Sequence, residues 1–258
     1  MGYLKGTIDL SSRQDAVLLQ QVLRSRHVTH DQLWQFFQLQ AQETRQRIFN
    51  WRVSRLVRHG LVARTSAVSQ SRTWVYTIND SGAAYLAGQG DGAALVAGRA
   101  VKQHDDRAVL HSLDLNEIQL TLMHSGELRR WKSELEIVCL NELTGFGYAK
   151  DYDAVVTVAS DAQEATFALE YERHPKAADR YWQIRKAFEK ERHVGCFLYL
   201  TQSYELLSYL AGFYDRCAKA VYFGILSDFQ EHGLCARVLD HWRTSSVPLS
   251  TVLAVHGR

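Results

Sequence analysis

The spacing of the apolar residues changes at Gly60, and this change most constrains the fold of the N-terminal part of the chain. Before Gly60, three segments repeat apolar residues every three or four positions, as amphipathic helices do. These segments are residues 13–25, 29–37 and 42–59. After Gly60, residues 61–64 and 73–78 have the composition of strands and flank a loop of small polar residues. We therefore predict three helices followed by a β-hairpin.

The segment ends carry residues that start or stop helices. Thr29 and Gln32 match a capping box, and Gly60 suits the left-handed position after a helix. Residues 79–82 then open another short helix. This order of elements is that of a winged helix-turn-helix domain, which we place at residues 1–88. The stretch VYTINDSGAAYL, residues 75–86, also resembles the end of many bacterial winged-helix domains.

The third predicted helix is rich in arginine. At about 100° per residue, one face holds the apolar residues Phe49, Val53, Leu56 and Val57. Arginine can donate two hydrogen bonds to a guanine edge or clamp phosphate oxygens, so the other face predicts contact with DNA. With the hairpin arginines, the predicted DNA-binding residues are Arg45, Arg47, Arg52, Arg55, Arg58, Arg64 and Arg72. Trp51 projects among them and could stack on DNA or on a partner subunit.

The charge is unevenly distributed along the chain. Residues 1–88 contain eleven Lys or Arg against five Asp or Glu, a balance of +6. Residues 89–258 contain 19 against 23, a balance of −4. This asymmetry indicates that the N-terminal part faces a polyanion. We expect double-stranded DNA as the partner, bound by a homodimer that reads a palindromic site.

The remaining chain predicts a second module of mixed helices and strands. Residues 89–105 are rich in Gly and Ala and read as a linker. Residues 106–258 then follow the order α-β-β-β-α-β, which predicts an α/β sandwich around a short mixed sheet. The predicted strands are 131–139, 153–159, 165–171, 194–201 and 220–226, with helices at 106–124, 175–192 and 204–216.

Carboxylates recur on the first three predicted strands of this module. Glu134 and Glu136 lie on the first, Asp153 opens the second, and Glu170 and Glu172 end the third. Carboxylates at the ends of neighbouring strands can converge on Mg²⁺, which takes oxygen ligands. Such an ion would activate water against a phosphodiester.

Three motifs in this part of the chain carry a resemblance to a known family. They are W-x-S-E at 131–134, D-A-V-V-x-V at 153–158 and L-E-x-E-x-x-x-K at 169–176. With them the chain resembles, over roughly residues 13–226, the replication-relaxation family of bacterial mobile elements. The resemblance implies a winged helix joined to a module like the PD-(D/E)XK nucleases. It also implies a role in regulating replication, transfer or transcription of such DNA.

The sequence departs from the nuclease pattern, which leaves two readings open. The nucleases carry Glu-x-Lys on the third strand, where this chain has Glu170-x-Glu172. In an active enzyme, catalysis would fall to Glu134 (or Glu136), Asp153, Glu170, Glu172 and Lys176. The metal would then bind Asp153 and Glu170. In a non-catalytic scaffold, the acids would pair with Arg173, Arg180 or Arg185. The acidic balance of this half favours the scaffold.

The other expectations are negative. No run of apolar residues is long enough to span a membrane, and the N-terminus lacks a signal-peptide core, so we expect a cytoplasmic protein. The four cysteines fall singly, which argues against a zinc or disulfide framework. We expect no cofactor, except Mg²⁺ if the C-terminal module cleaves DNA. An adaptor whose winged helix binds protein is the remaining alternative.

Overall fold

The computed structural model describes residues 8–66, 74–100, 106–160, 163–240 and 245–256. The protein is a mixed α and β structure that divides into two compact units, residues 1–120 and 121–258. Among the described residues, no helix has both the length and the apolar character needed to cross a membrane.

The N-terminal unit begins with helices and a hairpin, in the predicted order. Its first elements are α1 (Asp15–Ser25), β1 (Val28–Thr29), α2 (His30–Ala41), α3 (Gln46–Arg58), β2 (Val62–Ser66), β3 (Trp74–Ile78) and α4 (Asp80–Gly88). The capping box at the start of α2 is present: the Thr29 side chain accepts from Gln32 N, and Gln32 accepts in return from Thr29 N. Gly60 has φ +69°, as expected for the residue that ends a helix in the left-handed conformation.

A small antiparallel sheet completes this part of the unit. Its strand order is β1-β3-β2, with Val28 opposite Tyr76 and Val62 opposite Ile78. The two-residue strand β1, which the sequence pattern did not predict, adds the third strand. The three helices bury Leu19, Phe37 and Phe49 completely, so their apolar faces share one core.

The structure differs from the predicted linker at residues 89–105. A helix, α5 (Gly92–Ala100), occupies most of it and packs against α4 and α1. Ala93 and Ala97 are buried, and their small side chains permit close approach between helices. Alanine is also the strongest helix former, so an Ala-rich segment can be ordered by packing rather than loose.

The helix after α5 begins within the N-terminal unit. This helix, α6 (Asp106–His124), contains the point at which the chain divides, after Leu120. Its first half is bonded to the start of α2: Gln32 Nε2 donates to Leu113 O at 2.9 Å. Asn116 Nδ2 donates to His27 O at 2.8 Å. The N-terminal unit therefore extends beyond the predicted boundary at residue 88.

The C-terminal unit contains a seven-stranded mixed sheet of order β10-β9-β8-β7-β6-β5-β4. Its strands are β4 (Leu128–Ser133), β5 (Ala154–Ser160), β6 (Gln163–Glu172), β7 (Cys196–Thr201), β8 (Ala220–Ile225), β9 (Arg237–Asp240) and β10 (Ser246–Pro248). Its later helices are α7 (Glu134–Leu143), α8 (Ala178–Lys190), α9 (Tyr204–Ala211), α10 (Leu226–His232) and α11 (Leu249–His256). The pairs β6–β7 and β7–β8 are parallel and the others antiparallel.

Helices α7, α8 and α9 share one aromatic core with the central strands. Phe188 on α8 stacks on Phe197 of β7, with ring centroids 4.0 Å apart. Tyr199 of β7 is hydrogen-bonded to the Tyr214 hydroxyl at 2.8 Å and stacks on Phe223 of β8. This core fixes the face of the sheet from which Tyr199 projects, and its cross-strand neighbour Glu170 shares that face.

The prediction of a strand at 131–139 was wrong over its second half. Strand β4 ends at Ser133, and α7 begins at Glu134. The reason is local, because Ser133 and Glu136 form a capping box: the Ser133 backbone and hydroxyl both donate to Glu136 Oε2 at 2.8 Å. Glu134 and Glu136 therefore lie in the first turn of a helix and not on a strand.

Candidate nucleic-acid interface and charged cluster

Helix α3 presents a polar face to solvent and buries Phe49, Val53 and Leu56 on the other. Four of the exposed side chains recur every three or four residues and fall within an arc of about 60°. We call them the α3 stripe: Arg47, Trp51, Ser54 and Arg58. Within the described part of the chain, neither arginine of the stripe makes an ion pair or side-chain hydrogen bond. Both guanidinium groups are therefore available to an external partner.

Two of the predicted DNA-binding arginines instead hold a buried carboxylate. Asp15, at the start of α1, is completely buried. Arg52 Nη1 donates to Asp15 Oδ1 at 2.9 Å, and Arg55 Nη2 donates to Asp15 Oδ2 at 2.6 Å. The side chains of Arg52 and Arg55 are only 15% and 22% exposed. Their contacts tie α3 to α1, a role that the helical pattern did not predict.

Arg45 lies just before α3 and is exposed, but it is paired with Glu43. Its Nε donates to Glu43 Oε1 at 2.9 Å. The hydrogen bonds from the Arg45 side chain and backbone lower the pKa of Glu43 to about 2. Glu43 in turn raises the pKa of Arg45. At neutral pH the pair therefore has little net charge, and Arg45 adds less to the positive surface than Arg47 does.

Exposed tryptophans lie beside arginines on both α3 and the hairpin. Trp51, 55% exposed, has the Arg55 guanidinium 4.7 Å from its ring centroid. Trp74 on β3, 44% exposed, has the Arg64 guanidinium 4.2 Å from its ring centroid. The pairing holds the rings in place by cation–π attraction. The predicted contact residue Arg72 lies outside the described residues.

His30 makes contacts between elements that the sequence pattern did not predict. It begins α2, and its Nδ1 is hydrogen-bonded to the Tyr76 hydroxyl at 2.9 Å. Its Nε2 is hydrogen-bonded to Asn50 Oδ1 on α3 at 3.0 Å. The imidazole therefore links α2, α3 and β3 and helps to orient the α3 stripe.

In the C-terminal unit, carboxylates and lysines gather where β5 begins and β6 ends. We call this group the charged cluster: Lys150, Asp153, Glu170, Glu172 and Lys176. Lys150 Nζ donates to Glu170 Oε1, and Lys176 Nζ lies 2.8 Å from Glu172 Oε2. Three of the five predicted active-site carboxylates are thus brought together, and Lys176 joins them as predicted. Glu134 and Glu136 lie in the first turn of α7, which begins directly after β4, where Ser133 pairs with Ala154.

Lys150 was not predicted and occupies a loop held by a buried acid. Glu191 accepts hydrogen bonds from Ala149 N at 2.8 Å and from the Tyr152 hydroxyl at 2.9 Å. Burial raises the pKa of Glu191, but its hydrogen-bond donors outweigh this effect and leave the pKa below its usual value. These bonds fix the chain on both sides of Lys150. No motif spacing indicates this contact, since Glu191 follows Lys150 by about forty residues.

The ion pairs bear on whether the cluster suits a metal. Asp153 Oδ2 accepts from Tyr171 N at 2.7 Å, and both glutamates face lysines. Among the described residues, no group of three or more His, Cys, Asp or Glu side chains is placed to hold a metal ion. As arranged, Glu170 and Glu172 are each paired with a lysine ammonium group, which does not fit a Mg²⁺ site. Of the three arginines predicted to pair with these acids, Arg180 bonds Gln183 and Arg185 bonds Glu189.

Glu170 is the most strongly perturbed acid of the cluster. Burial raises its pKa to about 7, the nearby Lys150 opposes this, and the Asp153 charge adds to it. Burial alone would lower the pKa of Lys176. The neighbouring Glu172 carboxylate outweighs burial, and the pKa of Lys176 is raised. Near neutral pH the cluster can therefore gain or lose one proton at Glu170.

We expect the raised pKa of Glu170 to appear in the pH dependence of stability. The folded state keeps a proton that the unfolded chain releases, so this contribution is complete below about pH 4.5 and is lost as pH rises to about 7. Relative to Glu170→Gln, the free energy of unfolding of the native protein should fall by roughly 3 kcal/mol over this range. Urea unfolding at a series of pH values measures it.

The matched variant Glu164→Gln, at an exposed position of the same strand, controls for the loss of one carboxylate. A difference between native protein and Glu170→Gln that stays constant from pH 4.5 to 7 contradicts the assignment.

Comparison with known protein families, characterised proteins and solved structures finds no match to this chain.

Proposed function

We propose that the N-terminal unit is a winged helix-turn-helix domain that binds double-stranded DNA, with α3 as the reading helix. The observation that carries this proposal is the α3 stripe, whose two arginines flank an exposed tryptophan and make no ion pair with any described residue. The order of α1 to α3, β2 and β3 supports it, as does the sheet order β1-β3-β2. In helix-turn-helix proteins the recognition helix enters the major groove, where arginine reads guanine.

The charge of the unit supports the same partner. Helix α3 contains no Asp or Glu, and the one acid just before it, Glu43, is buried and paired. Arg64 and Trp74 on the hairpin give a second basic and aromatic surface, where wings contact the DNA backbone. We infer a regulator of replication or transcription, as the resemblance to the mobile-element family implies, acting as a homodimer.

For the C-terminal unit we propose a non-catalytic role in this regulator. The support is the pairing of Glu170 and Glu172 with lysines, since these ion pairs use the oxygens that a metal would need. Buried and paired charges of this kind stabilise one arrangement of a core when every member is satisfied. The unit then serves dimerisation or contact with a partner.

The test incubates the full-length protein with fragments of bacterial genomic and plasmid DNA, with and without Mg²⁺, and scores retention and cleavage together. We expect retention of a specific set of fragments, weakening steeply with salt, and intact DNA. Retention of random fragments at low salt only would contradict sequence-specific binding and favour the protein-binding adaptor.

Cleavage in the same incubation would contradict the non-catalytic role. The control is Asp153→Ala, which removes a carboxylate of the charged cluster and leaves α3 unchanged. Scission that needs Mg²⁺ and disappears in Asp153→Ala would establish an endonuclease targeted by the winged helix. Scission that persists in the variant indicates a contaminating nuclease.

A further inference from the structure

Aromatic side chains are exposed together on the surface formed by α8 and the end of α9. Trp182 is 44% and Tyr209 45% exposed. Phe213, half-buried after α9, lies between them, with ring centroids 5.5 Å from Trp182 and 5.1 Å from Tyr209, both edge-to-face. Grouped exposed aromatic rings mark a binding surface, because a solvent-facing position alone does not favour them.

Arg185 and Tyr181 hold the three aromatic rings in place. Arg185 Nη1 donates to Phe213 O at 3.2 Å, Nη2 donates to Arg216 O at 2.7 Å, and the guanidinium lies 5.5 Å from the Trp182 ring centroid. Buried Tyr181 contacts the rings of both Phe213 and Tyr209. The surface is therefore pre-organised, which lowers the entropy lost when a flat ligand binds.

Two lysines lie along the same exposed side of α8. Lys186 follows Trp182 by one helical turn and Lys190 by two, and both are exposed. Within the described part of the chain, neither makes an ion pair. The exposed acid Glu189 is paired with Arg185 at 3.0 Å. The other exposed acids near the surface are Asp179 on α8, Glu205 one turn before Tyr209 on α9, and Asp215 after Phe213.

This combination of charge and shape selects among partners. In a two-fold interface between copies, the patch would face itself and bring lysines close to lysines, which is unfavourable. A polyanion with flat rings suits both features, because bases stack on aromatic side chains while phosphates pair with cations. A single strand exposes the faces of its bases to stacking, as a duplex does not.

We propose that the α8–α9 surface, defined by Trp182, Tyr209, Phe213, Lys186 and Lys190, binds single-stranded DNA. Bases stack on Trp182 and Tyr209, and phosphates contact the two lysines. The site is independent of the α3 stripe. Only the choice of DNA over RNA rests on the proposed function, in which the N-terminal unit binds DNA.

The test measures binding of fluorescein-labelled oligo(dT) to the full-length protein by anisotropy. Trp182→Leu, which keeps an apolar side chain without a π face, should weaken binding roughly tenfold, whereas Trp182→Phe should remain within about twofold. Since Trp182 is half-exposed, both variants are expected to fold, which circular dichroism checks. Equal affinity of the native protein and Trp182→Leu would overturn the proposal.

Further arms separate this site from the other proposals. Arg47→Ala/Arg58→Ala should leave oligo(dT) binding unchanged, and Trp182→Leu should leave duplex binding unchanged. Loss of oligo(dT) binding in the α3 variant would mean that the N-terminal unit binds the oligonucleotide, which would contradict the proposed α8–α9 site. A Trp182→Leu variant that loses self-association in sedimentation but keeps oligo(dT) would assign the surface to a second copy. Tighter binding of oligo(rU) would overturn the choice of DNA.

Discussion

Replacing Asp15 with alanine should lower the free energy of unfolding by about 3 kcal/mol at neutral pH. The carboxylate is completely buried and accepts from Ser11 N at 2.8 Å as well as from Arg52 and Arg55. Without it, two largely buried guanidinium groups lose their counter-ion, and α3 loses its ion pairs to α1. Urea unfolding followed by circular dichroism measures the change.

Asp31→Ala is the matched control for the Asp15 variant. Asp31 lies in the first turn of α2, as Asp15 lies in the first turn of α1, but it is exposed. We expect a loss of no more than about 1 kcal/mol, from the helix dipole alone. If Asp15→Ala proves as mild as Asp31→Ala, while Arg52→Ala and Arg55→Ala weaken DNA binding, the two arginines serve the interface and not the fold.

Removing both arginines of the α3 stripe, as Arg47→Ala/Arg58→Ala, should reduce affinity for the retained duplex by about a hundredfold. Each guanidinium that contacts a base or phosphate contributes about 1–3 kcal/mol. The slope of log K against log salt should also become shallower by about two, because two fewer counterions are released. Fluorescence anisotropy over a series of KCl concentrations gives both quantities.

The control for this variant is Arg129→Ala/Arg130→Ala, which removes the same charge from exposed positions of β4 in the other unit. Its affinity should stay within about twofold of the native protein. A similar loss in both double variants would mean that net charge alone governs binding. Because neither stripe arginine is paired within the described residues, stability should change by less than about 0.5 kcal/mol.

The C-terminal module shows which secondary-structure elements a local sequence pattern can predict. The predicted strands at 153–159 and 165–171 correspond to β5 and β6, because long apolar and β-branched runs specify buried strands. The prediction of a strand through Glu134 was wrong. The capping box of Ser133 and Glu136 starts a helix at a point where the alternating sequence pattern indicates a strand. The linker failed for a similar reason, since glycine and alanine permit a helix once neighbouring helices bury it.

The candidate sites divide in the same way. Periodicity identified Phe49, Val53 and Leu56 as the buried face of α3, and hence the solvent side that carries Arg47 and Arg58. It also placed Glu170 and Glu172 on one face of a strand. These features depend on residues within a few positions of one another, whose geometry the helix or strand itself determines.

Only the tertiary structure decided which charges are available. Arg52 is committed to Asp15, 37 residues earlier, and Glu170 to Lys150, 20 residues earlier. Such pairings form when distant segments pack together, because burial makes an unpaired charge costly and draws the nearest opposite charge to it. The sequence by itself therefore determined the arginine-rich helix and its exposed face. Packing decided that, among the residues the structure describes, the cations of this helix left without an ion pair are Arg47 and Arg58, with Trp51 between them.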